Sequence, residues 1–332
     1  MKTLKVVSIG GFGHSVFVFD DMLGMKEAEL IGLAPAFPGE DISFFTSHEL
    51  CGEVPVYDDY PGMLEKLNPD VAVISTRLDI IPEVIMAAAD AGCHIIAEKP
   101  LALDMDTLER VRESVDRNGV KLTAMLSMRS EPQFIAAKDL YDSGVIGEAV
   151  LVNGRKSYKW GSRAEWMGDK AKYGGTIPWV GIHAVDFTNF ITGLGFTKVA
   201  AMKGNFSHPE RPACEDNCTM ILELSNGGHA TVSVDLHRPG SGGTWGDDWI
   251  RVVGTKGIIE ARGSDLTCTV LVDSELPVPV ELPGKSKMFR DFLLAVAGDD
   301  SIPIPQEESF MLTKVCLCGQ ESAEQGSFFE IL

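Results

Sequence analysis

The chain has 332 residues, 45% hydrophobic and 23% charged, a balance that describes a folded soluble protein and leaves room for two domains without disulfide support. A formal net charge of −19 opposes a phosphate backbone or an anionic lipid surface, so neither nucleic acid nor membrane is an expected partner. The seven cysteines are odd in number and scattered through apolar segments, the pattern of reduced thiols in a cytoplasmic protein.

From the start, Leu4 to Ile9 is an apolar, β-rich run and reads as a first strand rather than a signal peptide, since neither a long apolar core nor a cleavage site follows. A glycine cluster comes next, then a helical stretch around Val16 to Leu23 and a second strand from Glu29 to Ala34. Asp58 to Leu67 is helical and Pro69 stops it before a strand from Val71 to Ser75. Ile80 to Ala91 forms a helix ended by Gly92, and Cys93 to Ala97 returns as a strand. Asp104 caps a helix running to Asn118-Gly119, and Val120 to Leu126 closes the series. Strands that are nearly all apolar, alternating with helices, specify a parallel sheet covered on both faces.

The pattern changes near residue 126. Helices over Pro132–Asp142 and Pro178–Thr192 precede longer alternating strands. Asn217–Leu224 and His229–Leu236 flank Ser225-Asn226-Gly227-Gly228, a hairpin signal, and Ile250–Val253 and Ile258–Ala261 flank a second one. Helical patterns at Met288–Ala297 and Glu307–Gln320 end the chain. The expected architecture is a doubly wound α/β Rossmann domain over residues 1–125, followed over 126–332 by an α+β domain with a large, mostly antiparallel sheet for substrate binding and oligomerisation. No apolar stretch approaches the length of a membrane span.

Four segments could carry chemistry. Ser8-Ile9-Gly10-Gly11-Phe12-Gly13-His14 lies between a strand and a helix, with the spacing of G-x-G-x-x-G and Ser8 in the first glycine position. Such a turn lets the backbone approach a pyrophosphate seated on the helix start. The second strand, however, runs into Ala34-Pro35-Ala36 where a ribose-binding carboxylate is usual; Glu40 and Asp41 come late, and no arginine follows. Glu98-Lys99-Pro100 ends a parallel strand, where Lys99 is either an amine that exchanges a proton with an alcohol or an ordinary surface lysine. Trp179, His183 and Asp186 share a helix face, either as an acid/base pair with a neighbouring ring or as structure. Trp160, Trp166, Trp245 and Trp249 sit in glycine-rich or polar loops and could stack on a sugar ring or simply pack. His208, Cys214 and Cys218 match no closed zinc spacing, so no metal is expected.

Together these residues resemble the glucose–fructose oxidoreductase, inositol dehydrogenase and rhizopine catabolism (Gfo/Idh/MocA) family. Ala91-Gly92-Cys93-His94-Ile95-Ile96-Ala97-Glu98-Lys99-Pro100-Leu101-Ala102 is close to the family's A-G-x-H-x-x-x-E-K-P-L-A. Gly174-Gly175 with Gly181-x-His183-x-x-Asp186 resembles its second signature, Arg129 and Pro132 its R-x-x-P, and Ser322-Ala323 with Gly326 its ending. The resemblance implies hydride transfer between NAD or NADP, NAD being favoured, and a carbinol carbon of a sugar, inositol or polyol, with Lys99 and His183 moving the proton. It implies a cofactor held by Ser8, Gly10, Gly11, Phe12, Gly13, His14, Ala34, Ser75, Thr76, Glu98, Lys99 and Arg129, and a substrate held by Lys99, Trp160, Trp166, Trp179, His183 and Asp186. A homodimer or homotetramer is implied as well. A dinucleotide-binding sensor and an NAD-dependent glycosidase are the alternatives. The sequence departs from the family's pattern at Ser8, at Arg77-Leu78 where many members have Pro-Asn, and at Trp179, where many dehydrogenases carry aspartate.

Overall fold

A computed structural model describes residues 3–299, 301–302 and 304–331, which divide into two compact units. The first comprises residues up to Met125 together with Lys287–Thr313; the second comprises Leu126–Ser286 and the chain from Lys314 onward.

The first unit is built on a five-stranded parallel sheet of β1 (Leu4–Ile9), β2 (Ala28–Ala34), β3 (Val71–Ile74), β4 (His94–Ala97) and β5 (Leu122–Ala124), in the order β2-β1-β3-β4-β5. All four residues of β3 are buried, as a strand covered on both faces requires. The covering helices begin and end where local chemistry dictates. Asp59 accepts from the Gly62 amide at 2.7 Å to start Tyr60–Leu67, and Asp104 accepts from the Thr107 amide at 2.8 Å to start Met105–Asn118. Gly119, at φ +63°, ends the latter in the left-handed region. The strand order reverses between β1 and β3, and ligands of such sheets bind outside the strand ends at that point.

The domain boundary drawn from sequence needs one correction. Residues 287–313, expected with the second domain, pack with the first. The Met288–Val296 helix sends Phe289, Phe292 and Leu293 into the core that holds Val18, Phe19, Met22 and Val71. The edge strand β5 gives a second reason for the return: its Leu122 and Ala124 amides donate to Gln306 Oε1 (2.9 Å) and Ser309 Oγ (3.1 Å).

The second unit holds a nine-stranded sheet of β6 (Ala149–Ser157), β7 (Phe196–Gly204), β8 (Asn217–Leu224), β9 (His229–Asp235), β10 (Trp249–Gly254), β11 (Ile258–Arg262), β12 (Thr267–Leu271), β13 (Val278–Pro279) and β14 (Phe329–Glu330). Its order is β13-β12-β11-β10-β6-β9-β8-β7-β14, antiparallel throughout except for the parallel pair β6–β9. The β8–β9 hairpin closes with Gly227 at φ +84° and the Leu224 amide donating to the Gly228 carbonyl at 2.8 Å. Strands β6, β7, β12, β13 and β14 are not among those the sequence predicts. In β6 the inward positions Val152, Gly154 and Lys156 include a lysine, which hides the apolar alternation. No helix among the described residues is long and apolar enough to cross a membrane.

Candidate active site

In the first unit the glycine turn is fitted tightly onto the strand ends. Gly10 (φ +103°) and Gly13 (φ +115°) have backbone conformations that side chains rarely adopt. A Cβ at Gly10 would strike the Ser75 carbonyl, and one at Gly13 would strike the Glu98 carboxylate and the Ser75 hydroxyl. The turn is tied down at each step. The Gly10 amide donates to the Ala34 carbonyl (2.9 Å) and the Phe12 amide to the Ser75 carbonyl (3.0 Å), while Ser75 Oγ donates to the Phe12 carbonyl (2.8 Å). The His14 amide is shared between Ser75 Oγ (3.0 Å) and Glu98 Oε2 (2.8 Å), and His14 Nδ1 lies 2.7 Å from the same carboxylate oxygen. Burial works against ionising Glu98, but His14, Lys99 and these hydrogen bonds outweigh it and hold the carboxyl below its ordinary value. The Ser15–Met22 helix that follows carries no side-chain cap and no acidic residue in its first turn. That helix start is fit to receive a phosphate, so the residues present suit a dinucleotide.

Ser8 lies inside β1 and is fully buried. Glu98 is also fully buried, and its carboxylate accepts from the His14 and Lys99 amides. The acid that looked late in sequence is brought back in space. Glu40 accepts from the Ala36 amide (2.7 Å) and from Thr76 Oγ1 (2.5 Å), tying the end of β2 to the end of β3. An arginine also arrives there, from the loop after β3: the Arg77 guanidinium lies over the Phe37 ring at 4.8 Å and pairs with Asp79. Lys99, at the end of β4, is only 2% exposed, with Nζ 3.8 Å from Glu98 Oε1.

In the second unit, Trp179 lies in a π-helical turn, Ile177–Gly181, that leads into the α-helix Ile182–Thr192 carrying His183 and Asp186. Gly181 allows the turn to press on the sheet, since a Cβ there would meet Met220 and Val234. Trp179, His183 and Asp186 are all buried. Asp186 Oδ1 accepts from Arg129 Nε at 2.7 Å, with Nη2 2.6 Å away. Arg129 and fully buried Asp186 thus form an ion pair that ties the Ser127–Ser130 turn to the helix. Gly174-Gly175 has a packing reason, because a Cβ at Gly175 would collide with the Gln320 amide.

A polar cluster that sequence reasoning missed sits on β6 and β10. Lys156 is fully buried and pairs with Asp248 Oδ2 at 2.5 Å, while its Nζ lies 4.7 Å over the Tyr158 ring. Burial lowers the Lys156 pKa, but Asp248 more than restores it, so this ammonium stays charged. Burial raises the Tyr158 phenol, with Lys156 opposing, so Tyr158 stays protonated. The parity of Val152, Gly154 and Lys156 was the signal that could have placed this lysine inward. Trp160, a candidate sugar platform, already stacks on His208 with ring centroids 3.5 Å apart and has the Arg163 guanidinium 5.4 Å away. Trp166 is half-buried and tilts against Tyr173 at 6.3 Å. Among the described residues, no three His, Cys, Asp or Glu side chains are grouped to hold a metal ion.

Comparison with known proteins accords with this geometry. A family model described as the oxidoreductase family, NAD-binding Rossmann fold, matches residues 48–126, and one described as the GFO/IDH/MocA C-terminal domain matches residues 134–260. A provisionally assigned oxidoreductase from Thermotoga maritima superposes with a TM-score of 0.93 at 33% identity, over 98% of this chain and 100% of that one. Levoglucosan dehydrogenase in complex with NADH and L-sorbose shares the fold at a TM-score of 0.84 and 20% identity, with both chains fully covered. Among curated relatives, inositol 2-dehydrogenase 2 of Saccharopolyspora erythraea is 27% identical over 52% of this chain and 49% of its own. D-glucoside 3-dehydrogenase of Escherichia coli is 27% identical over 54% and 56%. These matches span about half the length of the curated relatives. A Rossmann unit with a glycine turn at its switch point, the Glu98-Lys99-Pro100 strand end and the matched C-terminal sheet domain place this chain in the Gfo/Idh/MocA oxidoreductase family.

Proposed function

We propose that this protein is an NAD- or NADP-dependent oxidoreductase that moves a hydride between the nicotinamide and a carbinol carbon of a sugar, an inositol or a related polyol. The observation that carries this reading is the uncapped helix start behind the glycine turn, with buried Lys99 at the end of β4 in the same unit. The curated relatives, named as inositol and glucoside dehydrogenases, support the substrate class. Gly10, Gly11, Phe12, Gly13 and His14 would hold the pyrophosphate, with Ala34, Ser75 and Thr76 beside the nucleosides.

When bound, the dinucleotide supplies the hydride acceptor or donor. Lys99 holds or releases the alcohol proton at Nζ, and the neighbouring Glu98 carboxylate keeps that ammonium positioned. His183 is the second proton carrier. Trp179 replaces a residue that could accept a proton with an indole whose N–H only donates, so it walls the substrate and takes no proton. The setting would be cytoplasmic and the assembly a homodimer or homotetramer. The test is an ultraviolet assay of nicotinamide reduction with NAD and NADP against sugars, polyols and sugar acids. Turnover that depends on Lys99 supports the reading. Cofactor binding without turnover would make the protein a sensor, and sugar release with no net nicotinamide change would make it a glycosidase.

A further inference from the structure

We propose that Arg163 is the anchor for a carboxylate on the substrate, so that the molecule oxidised or reduced is an acidic sugar, an aldonate or uronate, in place of a neutral polyol. This rests on the oxidoreductase reading and narrows its substrate class. Arg163 lies just beyond β6, and its Nε and Nη2 are both buried with no hydrogen-bond acceptor among the described residues. Those two nitrogens form one edge of the guanidinium, the fork that takes a carboxylate with two parallel bonds. Leaving a buried charge-bearing donor edge unmatched is costly, and proteins match such edges with a partner or a ligand.

The surroundings define what the partner is. Lys156, a fully buried cation, already has Asp248 as its counter-charge, whereas half-buried Arg163 lies over the Trp160 ring and its charge is felt by Tyr158, Tyr173 and Cys214, whose phenols and thiol stay neutral because burial raises them. One positive charge therefore remains to be met, which suits a monoanion better than a phosphate dianion. A hydroxyl acceptor stands in the same cluster: Asp248 Oδ1 is buried and has no donor among the described residues. The Tyr158 phenol feels Arg163, Lys156 and Asp248 alike, so these groups form one continuous patch. A guanidinium fork for a carboxylate, with a carboxylate oxygen for a hydroxyl, is the recognition set of a polyhydroxy acid.

The experiment is isothermal titration of the protein, saturated with reduced or oxidised cofactor, with D-gluconate, D-glucuronate, D-glucose, myo-inositol and D-glucose 6-phosphate. The expected result is that one of the two acids binds at least about tenfold tighter than either neutral compound, the scale of a buried charge-assisted pair. Arg163→Gln should remove that preference, and Arg163→Lys should keep part of it, with both variants melting cooperatively near the parent. Equal binding of neutral and acidic compounds, a preference for the phosphate ester, or an acid preference that survives Arg163→Gln would overturn the assignment. An Arg163-dependent acid preference in a protein that then shows no nicotinamide turnover would retain the anchor and reject the oxidoreductase reading instead.

Discussion

At Gly13 a side chain has nowhere to go, since its first carbon would fall on the Glu98 carboxylate and the Ser75 hydroxyl. The collision is with the turn's own supports. Gly13→Asp should therefore abolish NAD and NADP binding by displacing the turn, and Gly13→Ala should weaken it markedly; cofactor fluorescence titration checks both. Lys99→Ala should lower kcat by roughly a hundredfold or more while leaving cofactor affinity nearly unchanged, the usual signature of a lost acid/base group. Glu98 adds a pH dependence. Its folded pKa lies below the ordinary 4.5, so its contribution to stability is full above that value and is lost as pH falls through the lower folded one. Thermal midpoints should decline on acidification below about 4.5, and Glu98→Gln should lower the neutral midpoint and flatten that acid limb. An unchanged acid limb in Glu98→Gln would remove Glu98 from this account.

At the scale of single elements, the strand–turn–helix alternation of the first unit was legible because apolar runs are set off by caps and breakers, as with Asp104 and Gly119. The glycine turn and the Glu98-Lys99-Pro100 strand end were legible for the same local reason. Contacts set by distant partners were not. The Arg77–Phe37 stack, the Glu40–Thr76 bond and the Arg129–Asp186 pair join residues far apart in sequence, and nothing local announces them. The Lys156–Asp248 pair was hidden because a buried lysine reads as a solvent-facing one until its strand parity is known. The pattern from Pro178 predicts ordinary helix, and nothing in it distinguishes the π-helical turn at Ile177–Gly181. Trp179, 6% exposed within that turn, should show two effects on truncation. Trp179→Ala should raise KM with a smaller change in kcat, and it should lower stability by about 3 to 5 kcal/mol, the range for removing a buried aromatic. A variant with KM unchanged would confine the ring to packing.

For the molecule as a whole, the chain order does not follow the division into units. Residues 287–313 return to the first unit, where Phe289, Phe292 and Leu293 complete its core and Gln306 and Ser309 satisfy the edge strand β5. The composition of this segment gave no sign of its partner, since an amphipathic helix states that it needs an apolar surface without saying which. A fragment ending at Met125 should consequently expose that core and fail to melt cooperatively, whereas the same fragment supplied with a 287–313 peptide should recover protection from amide exchange. The proposed dependence of nicotinamide chemistry on Lys99 is tested by single-turnover nicotinamide absorbance in the parent and in Lys99→Ala, each saturated with cofactor and mixed with the acid or polyol that binds best. The parent should give a rapid absorbance change that is slowed by roughly two orders of magnitude in the variant at equal cofactor occupancy. An equally fast change in both proteins, or none in the parent with any bound sugar, would contradict it.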